Sequence, residues 1–147
     1  MRAAYIQEPQ EWVAGFSFST TVKVRFSETD MYGHVNNTKV FAYLEYARIE
    51  YFKALGFDFS NDSGNQNMLV VADIQCDYLN QVFFDETLTI YVKTASIGNS
   101  SMDLHYLVKN EKGDICYTAR GTLVQLNYST GKGVPFLEEQ KKLLLGK

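Results

Sequence analysis

The densest concentration of reactive and turn-forming groups in the chain is Thr29-Asp30-Met31-Tyr32-Gly33-His34-Val35-Asn36-Asn37. One carboxylate there is followed within seven positions by a glycine, a histidine and two asparagines. Asp30 has the chemistry of a general base on water, or of a nucleophile toward an acyl carbon. A helix-like stretch follows, and the start of a helix offers unpaired amides and a positive partial charge. An acyl carbonyl oxygen held by those amides, with Asp30 addressing its carbon or an adjacent water, makes a minimal hydrolytic pair. The competing reading of Asp30 is a plain turn or capping aspartate, common where a strand gives way to a loop.

The neighbours have the same double character. Gly33 permits positive φ and close approach of a ligand, or is a simple turn glycine. His34 can orient Asp30 or a water, or can pack in the loop. Asn36 or Asn37 suits a helix N-cap, and the same geometry would aim the amides that hold an oxyanion. Glu45 lies further along the helix as a second carboxylate that could reach the site; its i,i+3 spacing to Arg48 also fits a surface ion pair.

These groups need elements to position them. Phe16, Phe18, Thr20, Val22, Val24 and Phe26 share one parity against Ser17, Ser19, Thr21, Lys23 and Arg25, a half-buried strand over Phe16 to Phe26. From Thr38 the period changes. Val40, Leu44, Ala47, Tyr51 and Leu55 form one helical face, and Gly56 is placed to end the helix after about 18 residues. Asp58 to Asn67 is polar and reads as a loop. Four strand-like runs follow: Met68–Leu79, Thr87–Ile97, Met102–Lys109 and Ile115–Leu126. The short connectors Gly98-Asn99-Ser100 and Asn110-Glu111-Lys112-Gly113-Asp114 suit antiparallel hairpins. Gly121 inside the last run predicts a bulge or a close backbone approach. Phe136–Leu145 reads as a short terminal helix, and residues 1–15 as an extension on the surface. The order predicts an α+β fold, a curved antiparallel sheet around one long helix. Exposed strand edges would need cover, so the sheet is expected to continue into a partner subunit.

Composition narrows the function. With 147 residues, 46% of them hydrophobic, the chain suits a single domain, residues 1–147, with a real core. A net charge of -3 gives no footprint of a nucleic-acid binder. No apolar run approaches the roughly 20 residues that span a bilayer, and no signal peptide is visible, so a cytoplasmic protein is expected. Cys76, Cys116 and the two histidines show no metal-ligand spacing, and both cysteines read as reduced thiols. There is no GxSxG nucleophile motif, no Walker loop and no GxGxxG stretch.

Val24-Arg25-Phe26, the Thr29–Asn37 loop and the helix carrying Phe41, Tyr43, Leu44, Glu45, Ala47 and Arg48 resemble the hotdog-fold acyl-CoA thioesterases of the 4-hydroxybenzoyl-CoA thioesterase type. Tyr78-Leu79, Gly98-Asn99-Ser100-Ser101, Ala119-Arg120-Gly121 and Thr130-Gly131-Lys132-Gly133-Val134-Pro135 look like later landmarks of that family, so the resemblance covers about residues 18–145. The His34-Val35-Asn36-Asn37 portion also looks like the loop of plant acyl-carrier-protein thioesterases.

The resemblance implies a five-stranded hotdog sheet, a homodimer or homotetramer with the active site between subunits, and hydrolysis of an acyl-CoA or acyl-carrier-protein thioester with no metal and no cofactor. By position it implies Asp30 as the catalytic carboxylate, Asn37 as the residue whose backbone amide polarises the carbonyl, and Gly33 as the loop glycine. Glu45 is the candidate for the helix-borne carboxylate of some relatives. Asn36 and Asn37 stand where the family often has an aromatic residue or histidine, and Asn127 where an aspartate is common. The rivals are a hydratase or dehydratase on the same fold, whose Asp-x-Asn-Pro style motif is missing here, and a non-catalytic acyl-thioester binder. Lys93, Arg120 and Lys132 are unranked candidates for contacts to CoA phosphates.

Overall fold

The computed structural model describes residues 3–57 and 66–146. The elements run α1 (Pro9–Ala14), β1 (Phe18–Lys23), α2 (Val40–Leu55), β2 (Asn67–Tyr78), β3 (Thr87–Ile97), β4 (Ser101–Lys109), β5 (Ile115–Asn127) and α3 (Glu138–Leu145). The five strands form one sheet in the order β1-β3-β4-β5-β2, each neighbouring pair antiparallel. The α+β expectation holds, with one long helix against an antiparallel sheet.

Helix α2 forms because its apolar side chains recur on one face. Val40, Tyr43, Leu44, Ala47, Tyr51 and Phe52 are buried. They meet the inner parity of the sheet, including Leu88, Ile90 and Val92 from β3 and Leu104, Tyr106 and Val108 from β4. Gly56 ends the helix at φ 87°, its amide donating back to Lys53 O, while Phe57 N donates to Phe52 O.

The helix starts later than the asparagines suggest. Its N-cap residue is Lys39, with no side-chain cap. Asn36 instead caps the turn that leads in, Oδ1 accepting from Thr38 N at 2.9 Å and from Thr38 Oγ1 at 2.8 Å. Strand β1 is also shorter than the alternation. Beyond Lys23 the chain leaves the ladder and closes a 3₁₀ turn at Phe26–Glu28. Phe26, on the inward parity by sequence, is consequently 75% exposed.

Gly121 marks a close backbone approach, and the bulge falls not on its own strand but on the facing one. A Cβ there would lie 2.8 Å from Asp73 O, and the facing strand slips register between Val71 and Asp73.

The N-terminal segment is not a surface appendage. Trp12 on α1 is 7% exposed and packs with Ile6 and Leu107 on the outer face of the sheet. Most of the expected loop over Asp58 to Asn67 lies outside the described residues, and Asn67 itself belongs to β2. No helix among the described residues is long and apolar enough to cross a membrane.

Candidate active site

The loop between β1 and α2 is fixed from below by a carboxylate. Glu28 accepts from Arg25 N (2.8 Å), from the Arg25 guanidinium (3.2 and 2.9 Å) and from Tyr43 Oη on α2 (2.8 Å). Burial pushes the Glu28 carboxyl up, but these donors outweigh it and hold the group below its usual range. The Tyr43 phenol moves up, by burial and by its bond to the carboxylate. Glu28 O also accepts from Asn36 N at 2.8 Å, so the foot of the loop and the approach to α2 are joined.

Above that foot, Thr29 bridges to Val35 and the segment between them doubles back. Asp30 N donates to His34 O at 2.7 Å, and Gly33 N to Asp30 O at 3.0 Å. Gly33 sits at φ 80°, a region that side-chain-bearing residues rarely adopt, so the sequence puts glycine where the turn demands it. The half-buried Asp30 accepts from Tyr32 N (2.9 Å) and His34 N (3.2 Å), both through Oδ1. Among the described residues Oδ2 accepts no hydrogen bond. One oxygen is therefore anchored and the other is free.

The loop is docked on the connector between β2 and β3. Val35 N donates to Val82 O at 2.8 Å, and the His34 ring meets Phe83 edge-on at 4.9 Å. Between loop and connector lies a cleft of about 340 Å³. Asp30, His34, Val35 and Asn37 line one side, with Tyr78, Val82 and Tyr117 facing them. Tyr78 Oη donates to Asn37 O at 2.7 Å, which fixes the peptide just before the helix. The Asn37 amide itself donates to nothing among the described residues. A free carboxylate oxygen and a free amide thus border the same space, the two polar elements acyl transfer requires.

Asp30, His34 and Asn37 come together, with Gly33 shaping the loop. Glu45 stands apart from the cleft lining, exposed on α2 with Arg48 at 3.9 Å. Two of the unranked cations are committed elsewhere. Lys93 donates to Trp12 O at 2.5 Å and lies over the Phe16 ring, and Arg120 is bound to Asp103 and Asp73. Asn127 caps the turn after β5, accepting from Ser129 N and Thr130 N. Glu28 and Tyr117 did not emerge from the sequence, and Tyr78 emerged only as a landmark of the resemblance, with no role at the site. Glu28 lies two positions before Asp30 and resembles any surface glutamate until Tyr43 is seen above it. Among the described residues no group of three or more His, Cys, Asp or Glu side chains is placed to hold a metal.

A curved antiparallel five-stranded sheet around a long helix is the hotdog fold of the thioesterases. Residues 24–144 match the family model for the Thioesterase-like superfamily, and the chain belongs to that family. A Bacillus subtilis (strain 168) protein, "Uncharacterized protein YsmA", is 50% identical over 97% of this chain and 95% of its own. A thioesterase from Thermus thermophilus, solved in complex with coenzyme A and Zn, is 32% identical, with 88% of this chain and 92% of that one covered and a TM-score of 0.76. A DHNA-CoA thioesterase from Staphylococcus aureus shares the fold at 23% identity, TM-score 0.74, over 80% of this chain and 78% of that one. Family and fold together support thioester hydrolysis as the general chemistry.

Proposed function

We propose that the chain hydrolyses acyl-CoA thioesters in the cleft between the Asp30 loop and the β2–β3 connector. The observation that carries this is the pair of unspent groups there, Asp30 Oδ2 and the Asn37 amide. The thioester carbonyl oxygen accepts from the Asn37 N–H. Asp30 takes a proton from water as the water oxygen bonds to the carbonyl carbon. The developing oxyanion is held by the amide and by the positive end of α2. Collapse breaks the C–S bond and releases CoA thiolate, whose conjugate thiol has a pKa on the order of 8.5, so no strong acid is needed to protonate it. Direct attack by Asp30 to give a mixed anhydride, then hydrolysed, is the other route open to the same carboxylate.

His34, whose amide meets Asp30 Oδ1, and Gly33, which turns the loop, keep the carboxylate in place. Coenzyme A in the Thermus thermophilus relative supports CoA as the carrier. Strands β1 and β2 are the sheet edges, and their pairing in a homodimer or homotetramer belongs to the same proposal. Glu45, exposed on α2, is a carboxylate available to a site shared between subunits. A monomer in light scattering at micromolar concentration would remove the oligomeric part.

The test is thiol release from a panel of acyl-CoAs, with wild type and Asp30→Asn compared. Asp30→Asn should lose about 10²- to 10⁴-fold in rate, the scale of a general base. A folded Asp30→Asn protein with undiminished turnover refutes the mechanism. Release from acyl-carrier-protein thioesters alone changes the carrier, and tight acyl-CoA binding without release over hours makes the protein a binder.

A further inference from the structure

Among the described residues, four tyrosine hydroxyls on the helix and the sheet are spent within the protein, and Tyr46 and Tyr91, whose hydroxyls are not, are exposed or half-buried. Tyr43 donates to Glu28, Tyr78 to Asn37 O, Tyr51 bonds Thr94 Oγ1, and Tyr106 accepts from Arg48. Tyr117 is different. It is 3% exposed, yet among the described residues its hydroxyl has no hydrogen-bond partner. No side-chain nitrogen or oxygen that is sealed from solvent lacks a partner among those residues. The Tyr117 hydroxyl is therefore not sealed from solvent, and the cleft is the space that Tyr117 lines.

Its location separates it from the thioester carbon. Tyr117 pairs across β5 and β2 with Tyr78, the rings edge-on at 5.6 Å and 87°. Tyr78, not Tyr117, reaches the Asn37 peptide. Tyr117 lies one strand further into the sheet, with the buried Val35 and Val82 among the other lining groups. The carbonyl oxygen already has its donor at Asn37, so the second free donor is left for another atom of the ligand.

We infer that Tyr117 is a specificity residue: its hydroxyl bonds an acceptor oxygen carried by the acyl portion, so the cleft favours thioesters of oxygen-bearing acyl groups over plain hydrocarbon ones. This rests on the proposed hydrolysis in the same cleft. A hydrocarbon acyl group would strip water from the hydroxyl and return nothing, whereas a hydroxyl or keto oxygen restores the bond. Burial holds the phenol well above its ordinary pKa, so it is a neutral donor throughout the working range.

The experiment uses matched pairs of CoA compounds with acyl groups of increasing length, each with and without a hydroxyl at the far end. Each pair is made both as hydrolysable thioesters and as inert thioethers. Binding of the thioethers by calorimetry and hydrolysis of the thioesters are compared for wild type and Tyr117→Phe, which keeps the ring against Tyr78. For at least one length, wild type should bind the oxygenated thioether about tenfold more tightly, the size of one neutral hydrogen bond. Tyr117→Phe should bring the pair within about twofold at an unchanged Tm. A wild type without preference at any length overturns the inference. So does a preference that survives Tyr117→Phe, or a variant that slows both thioesters equally, which would place the hydroxyl at the thioester itself. Discrimination among thioethers by a wild type that releases no thiol would instead break the hydrolytic reading, so the two failures are distinguishable.

Discussion

The two faces of the β4–β5–β2 part of the sheet carry polar clusters of opposite character. On the outer face, Trp12 Nε1 donates to His105 Nδ1 at 2.8 Å, and His105 Nε2 meets Asp103 Oδ2 at 3.0 Å. Asp103 Oδ1 accepts from the Arg120 guanidinium, which also reaches Asp73 and Thr122. Both ring nitrogens of His105 are used, and so are both oxygens of Asp103. The cluster closes on itself and fastens α1 to the sheet. On the inner side, among the described residues, Asp30 uses one oxygen of two, and the Asn37 amide and Tyr117 hydroxyl use no donor capacity at all. Polar groups that satisfy each other build a scaffold. Those left with spare capacity beside a cleft are available to a ligand. The contrast predicts that damage to the outer cluster appears as lost stability, and damage to the inner one as lost function.

The largest effect expected is on the open side. Asp30→Asn should cut thiol release by about 10²- to 10⁴-fold while leaving the melting temperature nearly unchanged. Asn retains an acceptor oxygen for the Tyr32 and His34 amides, and a coupled loss of stability and activity would count against the comparison. On the closed side, Asp103→Ala deprives Arg120 and His105 of their shared partner. It should destabilise by about 2 kcal/mol, since breaking a partly buried charged network leaves the other members uncompensated. Urea unfolding reads the loss, and turnover per folded molecule should hold; a large fall in kcat would show that the outer cluster reaches the site. Tyr43→Phe probes the join between the two kinds of group. It removes one donor from Glu28 beneath the loop and should cost about 1 kcal/mol. A fall in kcat at constant KM would show that this closed contact positions Asp30, and unchanged kinetics would confine it to scaffolding.

Most elements were legible because their signals are local. The inward parity of β3, the four-and-three spacing of α2 and Gly56 at its end are visible within a few neighbouring residues. Asp30, His34 and Asn37 stood out for the same reason, being crowded into one turn-forming stretch that the structure arranges along one cleft. What escaped depends on register and distance. Glu28 and Tyr43 are fifteen positions apart, and Tyr78 and Tyr117 meet only because β2 and β5 pair in one register. Helix α1 spans six residues and buries a single Trp, too short a segment for periodicity to show. Its docking surface was half visible in β4, where His105 and Leu107 occupy the parity opposite the core and are nevertheless buried. Phe26 was misplaced because alternation cannot reveal where a ladder stops.

The smallest effect expected is a pH dependence of the closed cluster. Indole N–H can only donate, so His105 Nδ1 must accept, and the ring is neutral with its proton on Nε2 facing Asp103. Burial lowers the His105 pKa; Asp103 opposes this, while Lys93 on β3 and Arg120 on β5 add to it. Tyr5, its ring tilted against His105 at 4.9 Å, stays neutral because burial raises its phenol to about 12. Below the unfolded histidine value of about 6.5, the unfolded chain takes up a proton that the folded chain refuses. Stability therefore declines as pH falls from that point toward the lower folded value, and levels off beneath it. Trp12 is the chain's one tryptophan, so its fluorescence reports this cluster directly. The emission should change with a midpoint below about 6.5 and keep its amplitude in Asp30→Asn. In His105→Gln, which has no titrating proton but can still accept from Trp12, the transition should vanish. A transition that persists there would move the acid response from His105 to carboxylates held low in the folded state, Asp73 within the same cluster or Glu28 beneath the Asp30 loop.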